Sequence, residues 1–273
     1  MGISYFDHQS SGKGVAKDAP QKKPFFRYFE ILGRKFWQVI ELNLLFVLFC
    51  LPVVTFGPAM AAMTHVMRKF ILEQPCFLFD EFFTAFKKNF KQSFFIGIMD
   101  VICIASVLVV LHLYVFSKKL PDEYFIYLFV FVGVVSVFFM MHFFIYLEIV
   151  ALKLSLKAIV KNAFFLVFLG VKRVALTFVI NVAVLSLILL LLPYSLIGAV
   201  FFPLAWMCFT TVFICYPVIQ KIIINPYYEE RGEVNPELPV KSKYESDEAV
   251  FVDRGGSEKE IRVSTKTRGK VIK

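Results

Sequence analysis

The chain has 273 residues, 58% of them hydrophobic and 34 of them Phe, with 30 Lys and Arg against 21 Asp and Glu. The apolar residues fall in long blocks and the mean hydropathy is positive, which excludes an ordinary soluble domain and makes lipid the solvent for most of the chain. No block alternates polar and apolar residues over ~10 positions, so a β-barrel is excluded too, and the fold is expected to be all-α, a polytopic transmembrane helical bundle.

Residues 1–24 read as a polar basic arm carrying Lys13, Lys17, Lys22 and Lys23. The arm has no short apolar core followed by a small-residue cleavage site, so insertion is expected to start at an internal segment. Met1-Gly2 does not make a myristoylation site, because Phe6 stands where Ser or Thr is needed. From Pro24 to Lys35 aromatics stand beside cations, the pattern of a helix lying in the headgroup layer.

The next apolar run is broken at Leu51-Pro52-Val53-Val54-Thr55-Phe56-Gly57-Pro58-Ala59. Pro52 and Pro58 each lack an N–H and disfavour helix in the residue before them. We therefore expect two helices, Phe36 to Leu51 and Ala59 to Leu72, with Pro52, Gly57 and Pro58 as the structural turn. At 1.5 Å per residue each is roughly 22 Å long, short of a full crossing. A single kinked span is the alternative; it would leave one of the two flanking cation clusters outside.

Asp80 to Lys91 places Phe82, Phe83, Phe86 and Phe90 at helical spacing, with acids at the start and Lys87, Lys88 and Lys91 at the end. It is expected to float at the interface as an elbow, or to bind a partner. Long apolar blocks follow at Phe94 to Phe116, Tyr124 to Leu147, Val174 to Leu192 and Ile197 to Ile219, each near the ~20 residues that span a bilayer. Lys87-Lys88-Asn89-Phe90-Lys91-Gln92-Ser93-Phe94-Phe95 is echoed by Lys157-Ala158-Ile159-Val160-Lys161-Asn162-Ala163-Phe164-Phe165. Convergence on an elbow and internal duplication both account for the echo.

Charge sets the expected orientation, because short cationic loops resist translocation. The connection Leu152 to Arg173 and the tail from Lys221 are cation-rich, whereas Ser117 to Glu123 holds only Lys118 and Lys119 and the turn at Pro193-Tyr194-Ser195 holds no charge. About six membrane helices result, the first two a short hairpin, with both termini cytoplasmic. Residues 226–273 read as a charged cytoplasmic tail with too little apolar area for a core. Its cations suit anionic lipid rather than nucleic acid.

Ionisable groups within spans are costly and mark candidate sites. The candidate intramembrane polar cluster is Glu41, Asn43, His65, Asp100, His142, Glu148 and Asn181. Gathered in one inward cavity they would bind a cation, a proton or a small polar solute; placed apart they would only cross-link helices. The chain carries no His-Glu-x-x-His, Gly-x-x-x-x-Gly-Lys or Gly-x-Ser-x-Gly pattern, and the histidines are scattered. No catalytic set, metal site or cofactor is expected, and the five cysteines read as reduced packing residues.

The segments Asn43 to Ala62 and Phe82 to Ser93 resemble the YesL-like family of bacterial integral membrane proteins, whose shared domain has no assigned function. The resemblance covers residues 25–225, which we take as the transmembrane domain. Members are often encoded beside carbohydrate ABC-transport genes, so the resemblance implies an accessory role in sugar uptake, with an ABC-type sugar permease or another membrane protein as partner beside the lipid bilayer of the cell membrane. The alternative from the residues themselves is a small-solute or ion transporter built on the polar cluster.

Overall fold

The computed structural model describes residues 23–113, 125–233 and 235–237, and every regular element among them is helical. The basic arm and the tail beyond residue 237 lie outside the described residues. In chain order the helices are α1 (Pro24–Arg34), α2 (Phe36–Cys50), α3 (Phe56–Ile71), α4 (Leu78–Leu111) and α5 (Phe125–Ala151). They continue as α6 (Leu156–Leu169), α7 (Val171–Leu190), α8 (Tyr194–Phe201), α9 (Pro203–Ile219) and α10 (Asn225–Arg231). Four helical stretches are long and apolar enough to cross a membrane: α4, α5, α7 and the run from Pro203 to Arg231.

α3 is the helix around which the others pack. Eleven of its residues, from Gly57 to Ile71, are buried, and it meets α2, α4, α5 and α9. The composition explains how one helix can serve four neighbours. Gly57, Ala59, Ala61 and Ala62 keep its first two turns thin, so facing backbones come close. α3 and α4 form an antiparallel hairpin that closes on two glycines. A Cβ built on Gly97 would stand 2.6 Å from both the Cα and the N of Gly57, and one built on Gly57 would fall against the Ser93 carbonyl. Gly57-x-x-x-Ala61 on α3 and Ser93-x-x-x-Gly97 on α4 are the small-residue pairs that permit this approach.

The break between α2 and α3 lies where the prolines place it, but its parts divide differently. The turn is Leu51 to Thr55, closed by a short 3₁₀ segment at Val53–Thr55. The Thr55 hydroxyl donates to the carbonyls of Phe49 and Pro52, satisfying backbone acceptors that the end of α2 leaves open. Gly57 and Pro58 are not in the turn; they are buried in the first helical turn of α3, where a missing N–H costs nothing.

Asp80 to Lys91 is not a separate elbow. It is the first part of the 34-residue α4, about 51 Å long at 1.5 Å per residue and so longer than a ~30 Å hydrocarbon core. Its aromatic stripe is only partly taken up inside the protein: Phe82 is buried and Phe86 half-buried, with rings 5.5 and 5.2 Å from Phe49 of α2, while Phe83 and Phe90 stay exposed. The expected span from Ile197 to Ile219 is also broken, at Phe202, whose backbone leaves the helical region just before Pro203. A π turn at Gln220–Ile224 follows Pro217, and the helix then resumes to Arg231. The start of the expected tail is therefore helical, and Asn235 beyond it is buried.

Gly97→Ala should lower the unfolding midpoint in detergent by an amount matching the ~1–3 kcal/mol of an overpacked interior, because the added methyl meets backbone rather than a movable side chain. Gly133→Ala on α5, where a Cβ meets nothing within 4 Å, should be neutral or mildly stabilising. Equal midpoints for the two variants would show that the glycine crossing does not hold the hairpin.

Candidate functional site

The most concentrated polar chemistry lies between α4 and α5. Asp100 sits one turn beyond Gly97 on the inward face of α4 and is 5% exposed. His142 and Tyr146 are four residues apart on α5, which places them one above the other on a single face. Both reach the same oxygen. The Tyr146 hydroxyl donates to Asp100 Oδ2 at 2.7 Å, and His142 Nε2 lies 2.7 Å from that oxygen. A carboxylate can only accept here, which assigns the ring proton to Nε2. Two polar atoms of the trio stay open: Asp100 Oδ1 and His142 Nδ1 are buried without a partner. The Tyr146 ring packs against the His142 ring at 5.1 Å, and Phe138 closes the other side at 5.3 Å. Such a site can grip a proton or hold a small polar ligand on its free carboxylate oxygen and free ring nitrogen.

The other members of the expected cluster are placed elsewhere. Glu41 is exposed on α2. Asn43 is fully buried and mends the break between α8 and α9. Its amide donates to the carbonyls of Ala199 (3.1 Å) and Val200 (2.6 Å), and its oxygen accepts from the Ala205 N–H at 2.7 Å. Broken helices persist in an apolar interior only where such bonds replace the lost backbone pairs. Asn181 bonds back to the Thr177 carbonyl at 2.8 Å and across to the Thr211 hydroxyl at 3.2 Å, joining α7 to α9.

His65 lies 3.1 Å from Glu81 Oε2, and Lys69, one turn further along α3, pairs with Oε1 of the same carboxylate. This cluster ties α3 to the first turn of α4. Glu148 of α5 is fully buried, and neither of its carboxylate oxygens has a partner. The seven residues thus form separate sites, and only Asp100 and His142 come together.

Two networks lie outside the expected cluster. Arg68 at the end of α3 donates to the Tyr216 hydroxyl at 2.8 Å and pairs with Glu237, to which Tyr216 also donates. Glu237 is set in place by Asn235, which accepts its N–H at 2.9 Å and donates to Asn225 at 3.0 Å. The root of the tail is thereby fastened to the bundle. At the opposite face of the same helix end, Arg27 donates to the Ile71 carbonyl at 3.1 Å, and Arg34 pairs with Glu73 at 2.6 Å. Tyr146 is not among the residues expected from the sequence, where its four-residue spacing to His142 is the available signal; nothing local marks Glu237 as the partner of Arg68.

A pocket near this region is apolar, lined by Cys50, Val53, Phe56, Val101, Ile104 and Leu108 among others. Among the described residues no group of three or more His, Cys, Asp or Glu is arranged to hold a metal ion. The five cysteines are free, and Cys208 and Cys215 pack against the Thr64 and Thr177 hydroxyls at 3.7 and 3.5 Å.

A family model described as "Protein of unknown function, DUF624" matches residues 39–111. That stretch runs from α2 to the end of α4 and includes the glycine crossing and Asp100. No curated protein and no solved structure matches the chain.

Tyr146→Phe and Asp100→Asn should show coupling in a double-mutant cycle read as unfolding free energy in detergent, of the ~0.6 kcal/mol average for such bonds or up to about 1.7. Additive effects would mean the hydroxyl and carboxylate act independently. Glu148→Met should be neutral or stabilising, because it removes a buried acid that makes no bond in return. A large loss of stability would show that Glu148 has a partner.

Proposed function

We propose that the chain is a YesL-like multi-pass protein of the cell membrane that serves carbohydrate uptake as a non-enzymatic accessory or scaffold. Its exposed helical faces would hold an ABC-type sugar permease or another membrane protein. The observation that carries this reading is how little the long helices bury one another. Only 17% of the apolar window of α4, of α5 and of α7 lies inside the protein. Lipid or the helices of another protein must cover the rest. The polar residues support the same reading, since Asn43, His65 and Asn181 act as fasteners between helices. The carbohydrate link rests on the resemblance at Asn43 to Ala62 and Phe82 to Ser93.

In this reading α2 and α3 form a short hairpin beside the four long spans, making about six membrane helices with both termini cytoplasmic. Charge supports it: every one of the 30 Lys and Arg except Lys118 and Lys119 then falls on the inner side. A transporter is the second reading, and one observation favours it: the open Asp100 Oδ1 and His142 Nδ1 in the buried trio.

Purification of the full chain from its native membrane in mild detergent should bring down a sugar permease in fixed ratio; recovery of the chain alone would overturn the accessory role. Asp100→Asn at normal expression should leave solute-dependent growth unchanged, whereas loss of growth would favour transport. A cysteine placed at Lys17 in a cysteine-free background should resist an impermeant thiol reagent in intact cells. Ready labelling would place the amino terminus outside.

A further inference from the structure

The two basic stretches that echo one another in the sequence share three buried positions and are joined in space by a hydrogen bond. On α4, Ser93, Ile96 and Gly97 are buried; seventy positions later, on α6, Ala163, Leu166 and Val167 are buried. The opposite faces are exposed and each carries a stripe of two lysines and a phenylalanine, in which Lys91 and Lys161 occupy equivalent positions. At 100° per residue, Lys88, Lys91 and Phe95 fall within about 60° of one another on α4, as do Lys157, Lys161 and Phe164 on α6. All six side chains are exposed. Each stripe therefore runs cation, cation, aromatic toward the apolar part of the chain.

The stripes adjoin. Gln92 lies one turn beyond Lys88 on the same face of α4, and its amide donates to the Leu154 carbonyl at 2.9 Å, just before α6 begins. The short link holding that carbonyl also carries Lys153, which is exposed. None of Lys88, Lys91, Lys153, Lys157 and Lys161 has an acidic partner among the described residues. Five cations with no counter-charge, bounded on one side by exposed Phe95, Phe164 and Phe168, make a surface with a polar end and an oily end.

We propose that this surface is a docking site for an anionic phospholipid. The lysines of α4 and α6 would grip the phosphate and headgroup while the aromatic residues one turn further along lie against the acyl chains. The charge gradient within each stripe matches the profile of a lipid from headgroup to tail, and lysines near an anionic leaflet each add to the attraction. A soluble acidic protein would match the lysines but leave the adjoining phenylalanines uncovered. The site depends on the chain being membrane-embedded and is independent of the accessory role.

The test is native mass spectrometry of the full-length protein in detergent, titrated with dioleoyl phosphatidylglycerol or with dioleoyl phosphatidylcholine. The wild type should retain the anionic lipid at least tenfold more tightly. The K88Q/K91Q/K157Q/K161Q variant should lose that preference, and the Lys→Arg variant at the same four positions should keep it. R262Q/K266Q/R268Q/K270Q removes four cations from the tail and should leave the preference intact. Should the fourfold variant fail to fold, K88Q/K91Q and K157Q/K161Q take its place, each weakening phosphatidylglycerol binding several-fold. Equal retention of both lipids by the wild type, survival of the preference in the α4 and α6 variants, or equal loss in the tail variant would overturn the site.

Discussion

The contact on which the rest of the structure depends is the crossing of α3 and α4 at Gly57 and Gly97. Two helix backbones meet there with no side chain between them, and a single methyl on either glycine would collide with main-chain atoms. This close approach lets α3, a helix of only 16 residues, sit inside a bundle of longer ones with eleven residues buried. It also fixes the register of the hairpin. Once Gly97 lies on Gly57, Glu81 comes level with His65 and Lys69, and Asp100 projects one turn past the end of α3. There α3 no longer covers α4, and the carboxylate meets His142 and Tyr146 of α5 instead.

The polar side chains inside the bundle then fall into place as fasteners at weak points of the backbone. Asn43 supplies three hydrogen bonds where Phe202 leaves helical geometry, and Thr55 closes the α2 end left open at Pro52. Single bonds of this kind are worth well under 1 kcal/mol on average within membranes. They do not drive association; they remove the penalty for breaking a helix where water cannot reach. Close packing of small residues around α3 contributes more to holding the helices together. Glu148 and the Asp100 trio stand apart, because each retains buried polar atoms with no partner, and stability alone gives no reason to keep them.

Much of the framework is legible in the sequence. A break near Pro52 between two short helices follows from the prolines, although the second helix begins at Phe56 rather than Ala59, and three of the four long apolar stretches, α4, α5 and α7, follow from block lengths. The site is legible only in part. Asp100 and His142 stand out as charged or polar letters in apolar text, but that signal is one-dimensional and says nothing about partners. It groups them with Asn43 and Asn181, which fasten other helices, and with Glu41, which is exposed. The Asp80 to Lys91 stripe shows the same limit. Its aromatic periodicity identifies an amphipathic helix but not what covers its apolar face, and Phe49 covers Phe82 and Phe86 while Phe83 and Phe90 stay exposed.

Read alone, the sequence establishes the helical class, the long apolar stretches and the break near Pro52, because these depend on local properties: hydropathy summed over a span, the missing N–H of proline, and charge beside an apolar block. Which residues meet is settled by the packing of the helices. The glycine crossing, the trio of Asp100 with His142 and Tyr146, and the clasp of Arg68 on Glu237 each join positions 40 or more residues apart. Such meetings depend on how closely two backbones can approach, a property of pairs of surfaces that no single stretch of sequence contains.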